Sequence, residues 1–184
     1  RSLDEERIRG HVRALAAAAL PEVYAGDDVF LHALERRAGV PLVVLAGHYD
    51  TVPPQDNLPG RIEDGAVHGC GASDMKGGLA VALELVRDLA GTGPGACDVA
   101  LLLFGREELP PAFNPLPAAL DGSDLLREAD LVVLLEPTDG QVQAGCLGNV
   151  TARLAFHGTS GHSARPWLAE NAIERAIEGL ARVV

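Results

Sequence analysis

A histidine and an aspartate two residues apart, His48 and Asp50, stand just after the apolar run Leu42-Val43-Val44-Leu45-Ala46. Alternate side chains share a face along an extended chain, so the two project the same way. A carboxylate beside an imidazole fixes the tautomer and orientation of a metal-ligating histidine. Three further acidic segments follow. Asp74 lies in Ser73-Asp74-Met75-Lys76-Gly77-Gly78, at the opening of a helical pattern; Glu107 and Glu108 come after the apolar run 99–104; Glu136 comes after the run 131–135 and is followed by Pro137. Each has an ordinary explanation by itself. A lone histidine near a strand end is more often structural, Asp74 could serve the free N–H groups of a helix start, and paired glutamates usually form a solvated turn. Acids at the ends of several buried strands are harder to dismiss, because open α/β sheets bind ligands there. One imidazole with oxygen donors, His48 with Asp74, Glu108 and Glu136, suits Zn2+, Co2+ or Mn2+. With Asp74 bridging, two ions could lie close together, while Glu107 relays protons beside Glu108.

Residues 3–19 read as a helix with Ile8, Val12, Leu15 and Ala19 on one face. Residues 29–33 and 41–46 read as strands separated by a turn at 35–39. Prolines and glycines mark 52–70 as loop. Residues 77–90 form a helical pattern with Leu79, Ala82, Leu83, Val86 and Leu89 on one face, terminated by Gly91 and Gly93. The short apolar runs 99–104 and 131–135 read as central strands covered on both faces, and 109–121, with four prolines, as a surface loop. Alternating strands and helices give a three-layer α/β domain with a central mixed, mostly parallel sheet. Near residue 145 the pattern changes. Gly145-Cys146-Leu147-Gly148 reads as a hinge, 149–157 as a half-exposed antiparallel strand, and 168–184 as an amphipathic helix with Leu168, Ala172, Ile173, Ala176, Ile177 and Leu180 inward. The expected domains are thus 1–146 and 147–184. One strand and one helix do not complete a domain, so the second is expected to continue beyond residue 184.

The chain has 184 residues and a net charge of −11, from 26 acidic and 15 basic residues. No Lys/Arg-rich stretch exists, so neither nucleic acid nor an anionic membrane is an expected partner. No apolar run is long enough for a bilayer span. Three cysteines without Cys-x-x-Cys spacing argue against a disulfide scaffold and for a reducing cytoplasm. The glycines at 77–78 lack the Gly-x-x-x-x-Gly-Lys-Ser/Thr pattern of a phosphate loop.

Five ordered blocks, Gly47-His48-Tyr49-Asp50-Thr51-Val52-Pro53, Gly71-Ala72-Ser73-Asp74-Met75-Lys76-Gly77-Gly78, Glu107-Glu108, Glu136-Pro137-Thr138 and Gly161-His162-Ser163-Ala164-Arg165, resemble the family of dinuclear zinc hydrolases that includes aminoacylases, acetylornithine deacetylases and glutamate carboxypeptidases. Gly69-Cys70-Gly71-Ala72, Gln143-Ala144-Gly145-Cys146 and His162-Ser163-Ala164-Arg165-Pro166-Trp167-Leu168 most resemble its succinyl-diaminopimelate desuccinylase subfamily, particularly the actinobacterial type. The resemblance implies two Zn2+ ions per complete site, with Co2+ as a substitute. His48, Asp74 and Glu136 would hold one, and Asp74 and Glu108 the other. Asp50 would orient His48, and Glu107 would take a proton from the attacking water and pass it to the leaving amine. His162 would stabilise the oxyanion in the active site of a partner subunit, making 147–184 the beginning of a dimerisation (lid) domain and the protein a homodimer. The family's last metal ligand is a histidine in a longer chain, and no matching motif surrounds His11, His32, His68 or His157.

The resemblance further implies a small anionic amide substrate, with desuccinylation of N-succinyl-LL-2,6-diaminopimelate in lysine biosynthesis as the leading expectation. The groups that pair with its carboxylates are expected beyond residue 184. An acetylornithine deacetylase-like or carboxypeptidase activity is the close alternative. A non-catalytic dimerising homologue, and more distantly a nucleotide-binding module, are alternatives of another class.

Overall fold

The computed structural model describes residues 5–92, 95–145, 148 and 150–183. The chain divides into two compact units, Arg1–Val142 and Gln143–Val184. The first unit is built on a five-stranded mixed sheet. Strands β1 (Glu22–Gly26), β2 (Val29–Ala33), β3 (Leu42–His48), β6 (Asp98–Phe104) and β7 (Leu131–Leu134) lie in the order β1-β2-β6-β3-β7. The β6, β3 and β7 strands run parallel, while β1–β2 and β2–β6 are antiparallel.

Alternation along the strands feeds two apolar layers. Phe30, Leu45, Leu101 and Leu103 face helices α1 (Glu6–Ala17) and α2 (Gly77–Thr92), through Val12, Ala16, Leu79, Ala82, Leu83 and Val86. On the other face Leu31, Val44, Ala46, Leu102 and Phe104 meet Ala119 of α3 (Leu116–Gly122) and Leu126 of α4 (Asp124–Arg127). Helices therefore cover both sides of the sheet, giving the expected three layers.

Several local expectations need correction. Strand β1 was not foreseen, because Glu22-Val23-Tyr24-Ala25-Gly26 is mostly solvent-facing and lacks an apolar run. The 52–70 stretch contains a small hairpin, β4 (Arg61–Glu63) with β5 (Ala66–His68), whose exposed residues carry no burial pattern. The 109–121 stretch ends in helix α3, with Pro115 just before and Pro117 within its first turn, where no N–H is needed; Pro110 and Pro111 open a short 3-10 turn upstream. Helix α2 continues through Gly91 to Thr92, and Gly93 lies outside the described residues. Strand β7 is not covered on both faces. Among the described residues it pairs with β3 alone, at the sheet edge, and Leu131 to Leu134 are all exposed. An apolar run identifies a strand but not what lies against it.

In the second unit the expected strand is absent among the described residues 150–157, and Asn149 lies outside them, as do Cys146 and Leu147 of the hinge. A strand needs a neighbour to take its N–H and C=O groups; the pairing observed here is one bridge, Thr159 with Glu170. Helix α5 spans Ala172–Leu180 and is capped by Asn171, whose Oδ1 accepts the Ile173 N–H at 2.9 Å. Ile173, Ile177, Leu180 and Leu168 are exposed rather than inward. The 3.6-residue period picks out the apolar face without supplying a surface to cover it. No described helix is long and apolar enough to cross a membrane.

Candidate metal centre

Parallel pairing delivers the chemistry-bearing residues to one edge. His48 closes β3 opposite Phe104, the last residue of β6, and the Tyr49 N–H continues the ladder to the Phe104 carbonyl at 2.9 Å. Glu107 and Glu108 follow β6. The Leu135 N–H reaches the Ala46 carbonyl at 3.1 Å, so Glu136 leaves β7 beside the same edge. Asp74 arrives from a wide turn, Ala72–Lys76, that leads into α2.

Two glycines permit this approach. A Cβ on Gly47 would stand 2.6 Å from Met75 Cε and 2.7 Å from Leu79 Cδ2, so glycine here lets the Met75 and Leu79 side chains pack directly on β3. A Cβ on Gly78 would run into the Leu135 carbonyl, immediately before Glu136. Met75 is buried, and its Sδ accepts the His48 N–H at 3.2 Å, which ties the turn to the strand end.

His48 is 1% exposed and sits among acids. Its Nε2 lies 3.1 Å from Asp74 Oδ1, 3.6 Å from Glu136 Oε1 and 3.9 Å from Glu107 Oε2. Its Nδ1 lies 3.3 Å from Asp50 Oδ1, off the line of a well-formed hydrogen bond. Asp50 is equally buried; its Oδ1 accepts the Glu107 N–H at 3.1 Å and its Oδ2 the Glu108 N–H at 3.2 Å. This carboxylate thus links the histidine to the glutamate loop. His48, Asp74 and Glu108 each bring a ligand atom within 4.8 Å of the others. Glu136 and Glu107 approach the histidine without joining that tightest group.

Burial pulls the His48 imidazole down most strongly, yet Asp50, Glu136 and Glu107 together raise it to about 9. Glu108 is pushed up by burial and by the neighbouring Asp74 and Glu107, against the pull of His48. Glu136 is raised by burial, again opposed by His48 and assisted by the other acids. Such a site carries surplus negative charge, which a divalent cation neutralises; one nitrogen and several carboxylate oxygens match the donors of zinc and its neighbours. The donor set therefore fits a metal.

Lys76 was missed as a neighbour of the site. It is half-buried, and burial lowers its ammonium while Cys70, Asp50, Asp74 and Glu108 act to raise it. Its position two residues after Asp74 was the available signal. His162 belongs to the second unit, exposed in its loop, with Nδ1 accepting the Ala164 N–H at 3.1 Å.

The profile of Peptidase family M20/M25/M40 matches residues 44–184. The chain belongs to that family. A succinyl-diaminopimelate desuccinylase of Corynebacterium glutamicum is 43% identical over 141 residues, covering 77% of this chain and 38% of that protein. Another protein of that name, from Methylobacterium nodulans, is 37% identical over 151 residues, 74% of this chain and 38% of its own. The chain therefore spans well under half the length of these curated relatives. Among solved structures, a tripeptidase from Staphylococcus aureus superposes with a TM-score of 0.68 at 18% identity, over 99% of this chain and 52% of that one. An M20 family metallo-carboxypeptidase from Sulfolobus solfataricus gives a TM-score of 0.54 at 23% identity, over 69% and 30%. At these identities the likeness concerns the M20 fold.

Proposed function

We propose that this chain is the metal-binding part of a zinc-dependent amide hydrolase that removes the succinyl group from N-succinyl-LL-2,6-diaminopimelate, in lysine biosynthesis. The observation that carries the reading is the convergence of His48, Asp74 and Glu108 around one point. The names borne by relatives at 43% and 37% identity support the substrate.

His48, Asp74 and Glu136 would hold one ion and Asp74 and Glu108 a second, with Co2+ able to replace Zn2+. Bound there, the metal supplies Lewis-acid polarisation of the amide carbonyl and a more acidic water. Asp50 keeps the proton on His48 Nδ1 and leaves Nε2 free to donate its lone pair. The same carboxylate holds the Glu107 and Glu108 backbone in place. Glu107 is the general base. Its carboxylate accepts a proton from the attacking water and returns it to the nitrogen of the leaving amine, so the amide C–N bond breaks to a free amine and succinate. His162 would serve the partner subunit of a homodimer, from a lid domain that begins near residue 147. A small anionic amide, rather than nucleic acid or membrane, suits this role, and the site would work in the cytoplasm.

Turnover of N-succinyl-diaminopimelate and of N-acetylornithine by the full-length protein tests the substrate. Preference for acetylornithine would replace the desuccinylase reading with the deacetylase one. A Glu107→Gln variant indistinguishable from wild type in every assay would return the chain to the non-catalytic, dimerising class.

A further inference from the structure

The catalytic reading leaves unused a charged cluster built around the buried Asp28, at the same edge of the sheet. Strand β2 runs antiparallel to β6, so the β1–β2 turn, with Asp27 and Asp28, lies beside the exit of β6; Val29 pairs with Phe104. Asp28 is 7% exposed. Its backbone carbonyl accepts the Gly105 N–H at 2.9 Å and the Tyr49 hydroxyl at 3.1 Å. Its Oδ1 accepts from Arg9 of α1 at 2.8 Å, and its Oδ2 pairs with an Arg106 guanidinium nitrogen at 2.6 Å. Asp27 accepts from both terminal nitrogens of Arg106, Nη1 at 2.8 Å and Nη2 at 2.9 Å, sharing Nη2 with Asp28.

Both anchored residues are covalent neighbours of the candidate site. Tyr49, fully buried, lies between His48 and Asp50, and Arg106 immediately precedes Glu107. Arg106 has φ +61°, a left-handed conformation that residues with a Cβ avoid. Its guanidinium bridge supplies the external hold that such a conformation needs. The Tyr49 ring also packs on Gly105, where an added Cβ would stand 2.9 Å from it. One turn residue therefore grips both the strand end that presents His48 and Asp50 and the loop that presents Glu107 and Glu108.

We propose that Asp28, outside the span 44–184 matched by the family profile, is a positioning residue that fixes the two site-bearing segments against each other. This rests on the metal-centre reading above. A hairpin salt bridge of merely structural value would stabilise the sheet without selectively tightening the site.

Two variants of the full chain test it, Asp28→Asn, which keeps a residue tolerant of the φ of +56° at this turn, and Arg106→Gly, which suits the left-handed backbone but removes the guanidinium. Arg13→Ala, which loses the exposed pair with Glu22 elsewhere on the hairpin, is the control. The readouts are Co2+ affinity from visible absorption and site-resolved amide exchange. Both variants should bind Co2+ about 10-fold more weakly, the loss seen when support beyond the ligands is removed. The Glu107 and Glu108 amides should exchange about 10-fold faster while those of Leu101 and Leu103 do not change, and the control should alter neither readout. Uniform acceleration across the sheet, failure of both variants to fold, or unchanged affinity and exchange would each overturn the proposal. If wild type takes up no Co2+, the metal-centre reading fails, and selective exchange at Glu107 and Glu108 still decides whether Asp28 positions that loop.

Discussion

Replacing Asp50 by asparagine separates the charge of this carboxylate from its shape. In the native chain its two oxygens accept the Glu107 and Glu108 N–H groups from a buried position. Asparagine offers one oxygen, so one of those amides faces an NH2 donor instead. An unsatisfied buried donor costs about 1–3 kcal/mol. The second effect acts through His48. Burial, the largest influence, lowers its pKa, and Asp50 leads the groups that raise it to about 9. With the folded value above the unfolded 6.5, this histidine stabilises the metal-free chain fully below pH 6.5. That stabilisation is lost as pH rises through about 9. The interval, at about 1.4 kcal/mol per pH unit, corresponds to about 3–4 kcal/mol. Urea unfolding of chelator-treated protein at steps from pH 6 to 10, with NMR titration of the His48 ring, reads both quantities. The wild-type midpoint should fall between about pH 6.5 and about 9 and level off above, and Asp50→Asn should be less stable at neutral pH with a His48 midpoint moved downward. A variant retaining both the wild-type pH slope and the wild-type His48 midpoint would refute the reasoning.

Other consequences follow from the same geometry. Gly78→Ala forces Leu135 and hence Glu136 away from α2; unfolding should show a loss of about 1–3 kcal/mol, with Co2+ affinity reduced in parallel. A metal ligand must shed its proton, so Co2+ affinity measured by calorimetry should fall about 10-fold per pH unit below about 9, the value of His48 in the free chain. In the full-length protein Glu107→Gln should lower kcat by about 10²–10⁴-fold with metal content retained, as read by steady-state assay and elemental analysis.

Much of this architecture was legible from residue order. The run 42–46, the run 99–104 and the helical stripe from Leu79 to Leu89 each carry enough burial to announce themselves, and the sheet they build sets where their C-terminal ends lie. That is why His48 and Glu108 stand out as candidates from the sequence, and with Asp74 they bring ligand atoms within 4.8 Å of one another. Strand β1 and the β4–β5 hairpin escaped because they are largely exposed, so their sequences record pairing rather than packing. For the same reason the alternating pattern at 150–157 promised a strand that the described residues do not form; alternation states a preference, and a partner strand realises it. Arg106, Asp28 and Tyr49 left no signal at all. They stand 19 to 79 residues from their contacts in sequence, and the antiparallel placement of β2 beside β6 brings Asp28 to Arg106.

The most direct test is a zinc-edge anomalous difference map from crystals of the chain grown with Zn2+. One peak within about 2.0–2.2 Å of His48 Nε2 and of carboxylate oxygens of Asp74 and Glu136, and a second at that distance from carboxylate oxygens of Asp74 and Glu108, is the result the metal-centre reading predicts. No peak at saturating Zn2+, or a peak held by residues elsewhere, would contradict the metal centre and the hydrolase built on it.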